Sequence, residues 1–366
     1  MAKPITILSI DGGGVRGIIP GVMLRHLESE LQTLENNPEA RIADYFDVIS
    51  GTSTGGLIAT MISASNDQGR PLYAAKEIVP FYKKHCPKIF PRSSSGSEPN
   101  ENELLKQKSP FYDGNYLHKL ARDTLGDKRL SDIILTKIVI PAYDIRKLSP
   151  VVFSSYQVDN GNKKLDALLS DICISTSAAP VYLPAYKFSN EGEEFNCIDG
   201  GLQSEETDRD KEIDLNNFQL LVLSLGTGEY KKKKYNAALA NRRWAINWLI
   251  YPLRIFWKAD HPLPEILLDA NSDMNDYYCT MFFESFGNPE NFLRVQDDNL
   301  PEELSRLDNG TPQNLNKLEQ YAEDMLKKPV TSLDSATFDR SGIDGAATYG
   351  DALKEFAKKL YDIKHS

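Results

Sequence analysis

Apolar residues recur along the chain with two periods, and the switches between them set out an order of elements. The run "ITILSI", residues 5 to 10, is apolar and β-branched and ends in glycines, the mark of a buried strand feeding a turn. "IIPGVMLRHLESELQTL" then takes up helical spacing, with Leu24, Leu27, Leu31 and Leu34 on one face. The order repeats at once, with "YFDVIS" as a short strand, "GTSTGG" as a turn and "LIATMISA" as the start of an apolar helix. Further strands are expected in "KIVIPAYDI", "EFNCID" and "FQLLVLSLG", each leading into a polar or glycine-containing turn. Strands alternating with helices predict an α/β fold, a three-layer sandwich around a mostly parallel central sheet, with sites gathered in the loops where strands end. Near the end, "QNLNKLEQYAEDMLKK" and "YGDALKEFAKKLYDI" have the apolar spacing of helices packed on the same body.

Composition narrows the class of protein without naming its work. The 366 residues are 41% hydrophobic and 26% charged, values of an ordinary globular protein of one or two domains. With 42 basic against 52 acidic residues the net charge is -10, which argues against nucleic acid as a partner and against electrostatic docking on strongly anionic membranes. Neutral or weakly charged lipids are easier targets. No run reaches the ~18 apolar residues that span a bilayer. The start "MAKPITILSIDGGG" has no basic and apolar leader, so a cytoplasmic location is expected, although a vacuolar protein shorn of its signal would look the same. Cys86, Cys173, Cys197 and Cys279 are scattered, without metal-ligand spacing, and read as reduced structural thiols. "PRSSSGSEPNENE" and "EETDRDKEID" read as solvated surface stretches.

Three short segments are candidates for chemistry. "DGGGVRG", residues 11 to 17, is a backbone stripped of side chains, suited to a dinucleotide, a nucleotide phosphate or an oxyanion hole. The dinucleotide reading is weak, because the acidic ribose partner would fall at Glu28 to Glu35, inside the first helix. "GTSTG" is Gly-x-Ser-x-Gly between a strand and a helix, where Gly51 and Gly55 permit a sharp turn that exposes Ser53 at a helix N-terminus. The pentapeptide alone would equally suit an ordinary glycine turn. None of the five histidines follows a late strand, so a Ser-His-Asp triad is poorly supported. Asp199, at the end of a strand and before Gly200 and Gly201, is better placed, although Asp-Gly by itself commonly serves only a turn.

Together the three segments resemble the patatin-like phospholipases, and within them the plant patatins. The likeness runs over nearly the whole chain from Ile5, through "DYFDVISGTSTGG", "SDICISTSAAPVYLP", "LLVLSLGTG" and "NFLRVQDD". It implies a patatin fold with a Ser/Asp dyad and no cofactor or metal: Ser53 as nucleophile, Asp199 as general base, and an oxyanion hole from the N–H groups of Gly13, Gly14 and Thr54. Gly12, Gly17, Gly51, Gly55, Gly200, Gly201 and Arg16 complete the motifs, with Arg16 supporting the loop or a substrate head group. Residues 5–215 would form the catalytic region and 216–366 the remaining strand and carboxy-terminal helices. The implied activity is acyl hydrolysis of phospholipids and galactolipids, in plant defence or lipid turnover. The alternative is a catalytically weak storage or lipid-binding protein that keeps the fold. The stretch "LQSEETDRDKEIDLNN" after Gly201 departs from the family's pattern. All three tryptophans lie in "WAINWLIYPLRIFW", residues 244 to 257, whose aromatic and basic character suits either a core helix or transient contact with a membrane interface.

Overall fold

The computed structural model describes residues 3–91, 110–202, 219–230, 262–334, 337, 340–342, 345 and 347–366. The tryptophan segment, the serine-rich stretch at 92–103 and the charged stretch at 205–214 lie outside them. The opening pattern folds as its periods require: β1 (Ile5–Ile10), α1 (Ile18–Glu35), β2 (Val48–Gly51) and α2 (Thr54–Ser63) follow one another. Leu24, Leu27 and Leu31 are completely buried along α1, while Leu34 is 37% exposed. The expected apolar face therefore stops one turn early, where α1 ends at Asn36 in the left-handed conformation (φ 50°).

After α3 (Ile78–Ile89) and α4 (Asn115–Leu125) come β3 (Lys137–Asp144), β4 (Ser149–Ser154), α5 (Leu169–Thr176), β5 (Tyr186–Asn190) and β6 (Glu193–Asp199). β7 (Leu220–Leu225), α6 (Pro262–Ser285), β8 (Phe292–Val295), α7 (Pro312–Met325), the hairpin β9 (Thr331–Leu333) and β10 (Arg340–Gly342), and α8 (Tyr349–His365) complete the described chain. α7 begins with Thr311 as cap and Pro312 in its first turn, and α8 begins with a capping box between Thr348 and Asp351.

Hydrogen-bonded neighbours in the main sheet run β5-β6-β3-β2-β1-β7-β8, with β4 also on β3. The five strands from β3 through β2, β1 and β7 to β8 are parallel, β4 and β6 run against them, and β5, antiparallel to β6, runs with them. This is the mostly parallel α/β sheet with flanking helices that the pattern predicts. One apolar core joins sheet and helices, from Leu8 and Ile10 through Leu27 to Leu318 and Leu360. α1 packs against both α7 and α8.

The registers explain where a site can form. β4 pairs with β3 along residues 139 to 144 and occupies one edge of that strand. The other edge is shared: β2 pairs with its first residues, Ser50 opposite Val139, and β6 with its last, Asp199 opposite Ala142. Parallel β2 and antiparallel β6 thus approach each other end to end, and the residues that terminate them meet above the sheet.

Candidate active site

Ser53 sits at that meeting point. β2 ends at Gly51, α2 begins at Thr54, and Ser53 between them is held at φ 55° and ψ -124°. A positive φ is strained for a residue with a Cβ and persists only where the surroundings impose it. Two glycines impose it here: a Cβ on Gly51 would strike the backbone of Gly55, and one on Gly55 would strike the carbonyl of Ile10. The Ser53 N–H donates to Thr176 Oγ1 at 2.9 Å, and that hydroxyl donates to the Pro141 carbonyl at 2.7 Å. The bend is pinned from α5 and β3, and the half-buried serine side chain is left at the amino end of α2, where the helix dipole favours negative charge.

Asp199 is 7% exposed. Its N–H donates to the Ala178 carbonyl at 3.0 Å, Gly201 N–H donates to its Oδ1 at 2.9 Å, and its carboxylate stands next to the Ser53 hydroxyl. Gly200 lies so close to Pro141 that a side chain there would hit the Pro141 carbonyl. Burial pushes the Asp199 carboxyl up to about 6, against the downward pull of the nearby Ser53 hydroxyl and the Gly201 N–H.

The glycine loop forms the third wall. Gly12 packs against Ser53 closely enough that its Cβ would stand 3.2 Å from the serine Cβ. Thr227 Oγ1 donates to the Gly12 carbonyl at 2.8 Å and fills the space beside Gly13, while Val15 N–H donates to the Leu307 carbonyl at 2.9 Å beside Gly14. Among the described residues, the N–H groups of Gly13, Gly14 and Thr54 have no hydrogen-bond acceptor. Gly17 backs onto Thr54 and Tyr82, whose hydroxyls are hydrogen-bonded to each other. Arg16 turns to the Gly228 carbonyl at 2.8 Å and ties the loop to the end of β7.

The structure thus brings Ser53, Asp199, Thr54 and the Gly12–Gly14 backbone together. Four histidines are engaged elsewhere: His26 with the Gly350 carbonyl, His85 with Tyr116, His118 against the Tyr186 ring and His365 with Glu35. His261 lies outside the described residues. A polar cleft of about 360 Å³ lined by Glu35, Asp44, Arg70 and Lys364 shares no residue with the Ser53 cluster. Thr176 and Thr227 support the site but were not singled out from the sequence. Each falls in a stretch that carries the family resemblance, yet its partner lies on a distant part of the chain, which no local pattern reveals.

Comparison with known proteins defines the class. Residues 8–205 match the family model described as patatin-like phospholipase. Patatin-like protein 3 of Arabidopsis thaliana is 42% identical over 97% of this chain and 88% of its own length. Patatin-03 of Solanum tuberosum is 38% identical over 100% and 92%. Among solved structures, the match to VipD of Legionella pneumophila covers 88% of this chain and 67% of that one at 12% identity, with a TM-score of 0.34. The chain belongs to the patatin-like phospholipase family. It is a lipid acyl hydrolase.

Proposed function

We propose that the protein hydrolyses fatty acyl esters of membrane glycerolipids, phospholipids and galactolipids among them, through Ser53 and Asp199 without a histidine. The observation that carries this reading is the placement of Ser53, on a strained turn at a helix amino end, beside the buried carboxylate of Asp199. An ordinary aspartate is too weak a base for an alcohol. Burial raises Asp199 to about 6, which keeps it mostly ionised at neutral pH and makes it a better proton acceptor.

In the proposed cycle Asp199 takes the Ser53 proton as Oγ attacks the ester carbonyl, whose oxygen becomes an anion facing the N–H groups of Gly13, Gly14 and Thr54. The tetrahedral centre collapses, the carbon–oxygen bond to the lipid alcohol breaks, and the proton on Asp199 passes to the leaving oxygen. Water then gives its proton to Asp199 and attacks the acyl-serine, and fatty acid leaves as the Ser53 hydroxyl is restored. Transient contact with the bilayer follows from where such substrates reside, and plant relatives support a setting in lipid turnover or defence.

The test is fatty-acid release from phosphatidylcholine and galactolipid vesicles by folded Ser53→Ala and Asp199→Asn proteins. Both are expected to be inactive. Undiminished release by either would sink the assignment of that residue.

A further inference from the structure

Behind the glycine loop lies an ionic cluster, buried at Arg294 and Asp276 and half-buried at Asp11, that the proposed cycle does not use. Arg294, on β8, has a side chain only 5% exposed, and its guanidinium is divided among three elements. Nη2 meets Asp11 Oδ2 at 2.6 Å, Nε meets Asp276 on α6 at 2.9 Å, and Nη1 donates to Ser224 Oγ on β7 at 2.9 Å. Asp276 also receives Arg340 from the β9–β10 hairpin. Asp11 is the residue that leaves β1 immediately before Gly12, Gly13 and Gly14, and its N–H donates to the Leu225 carbonyl at 2.9 Å. The loop's other anchors at Gly12 and Val15 act on its backbone, whereas the Asp11 carboxylate is held by a side chain from across the sheet.

Two physical arguments give this contact a role in the reaction. A fully buried guanidinium is retained only where partners compensate its desolvation, and a planar fork addressing three partners at once fixes direction in a way that a lysine ammonium does not. A carboxylate next to an oxyanion hole would also oppose the charge that develops there, unless a cation neutralises it. Burial raises the Asp11 pKa and the Arg294 guanidinium pulls it back, so the charge at the head of the loop depends on that pairing.

We propose that Arg294 is a positioning residue for acyl transfer: by holding Asp11 from β8 it fixes the direction of the Gly13 and Gly14 N–H groups and neutralises the carboxylate at the head of their loop. The inference rests on the reading that these glycines face the oxyanion.

The experiment uses the full chain with Arg294→Lys, Arg294→Met, Asp11→Ala and Gly13→Ala, well below each protein's unfolding midpoint. Each is assayed with a soluble p-nitrophenyl ester and with an alkyl trifluoromethyl ketone, which adds a serine to form a tetrahedral oxyanion. Displacing catalytic groups by about 1 Å costs on the order of 100-fold. Arg294→Lys, which keeps the charge and loses the fork, should lower kcat by about 10- to 100-fold with KM within about 2-fold, and weaken the ketone by the same factor. Arg294→Met should lose more. If the Arg294 variants do not fold, Asp11→Ala removes the same contact from the loop side and should show the same parallel loss. A lowered midpoint with kcat and ketone affinity unchanged would make Arg294 structural only and overturn the proposal. Gly13→Ala separates the two layers. If it weakens the ketone while Arg294→Lys and Asp11→Ala do not, the clamp is wrong and the oxyanion reading stands; if it leaves the ketone undisturbed, the oxyanion reading itself falls.

Discussion

Glu28 on α1 and Asp199 at the end of β6 are both buried acids, 3% and 7% exposed, and burial pushes both carboxyl groups above their ordinary values. Their partners differ. Glu28 spends one oxygen on the Ala75 N–H at 2.9 Å and the other on the Ile42 N–H at 3.2 Å, so it caps two backbone turns and offers no oxygen to a reaction. Asp199 spends one oxygen on Gly201 and faces a hydroxyl with the carboxylate, beside a half-buried serine held in strained geometry. Desolvation alone marks both acids. What distinguishes a structural acid from a candidate base is whether the remaining lone pairs meet backbone donors or a group that can give up its proton.

That contrast can be broken at either acid. Replacing Ser53 by Ala has the largest expected effect, a loss of about 10⁴-fold or more in kcat toward a soluble ester, since no other nucleophile stands beside Asp199 among the described residues. Asp199→Asn should lower kcat by about 10²- to 10⁴-fold, the range of a general base. The same substitution should stabilise the fold. The folded protein holds Asp199 at about 6 against an ordinary value of 3.8, so its contribution favours folding at acid pH, weakens as pH rises between about 4 and 6, and is unfavourable above that by on the order of 3 kcal/mol. An unfolding midpoint at pH 7.5 that rises in Asp199→Asn agrees with this; a midpoint that falls by several degrees means that the carboxylate stabilises the fold. In the unaltered protein, kcat/KM should climb tenfold per pH unit up to about 6 and then level, because only the ionised base works. A profile bending near 4 would show an unperturbed aspartate. Glu28→Gln should leave kcat within about 2-fold and cost about 1 to 3 kcal/mol of stability, since one new N–H₂ must face a backbone N–H. A large loss of kcat at constant KM would erase the distinction between the two acids.

Much of this was legible in the sequence where cause and effect lie close together. The alternation from Ile5, the helical spacing of Leu24, Leu27 and Leu31, and the glycines around Ser53 are local instructions, and they place the strands, the helix and the sharp turn. The meeting of Ser53 with Asp199 depends on β2 and β6 sharing one edge of β3, a matter of register between segments some 150 residues apart that no window of the chain displays. The supports are less visible still. Thr176 holds the Ser53 N–H from 123 residues away and Arg294 reaches Asp11 across 283, and neither residue type in its own neighbourhood announces its partner. Leu34 shows the opposite error, a periodic position that falls past the end of the packed face because the core stops there.

The central claim, that Ser53 attacks and Asp199 activates it, is tested most directly by covalent labelling with a fluorophosphonate ester and mass-spectrometric mapping of the adduct. The expected result is a single adduct on Ser53, formed at least about 100-fold more slowly in folded Asp199→Asn protein. An adduct on any other residue, or labelling of Asp199→Asn at the unaltered rate, would contradict the account.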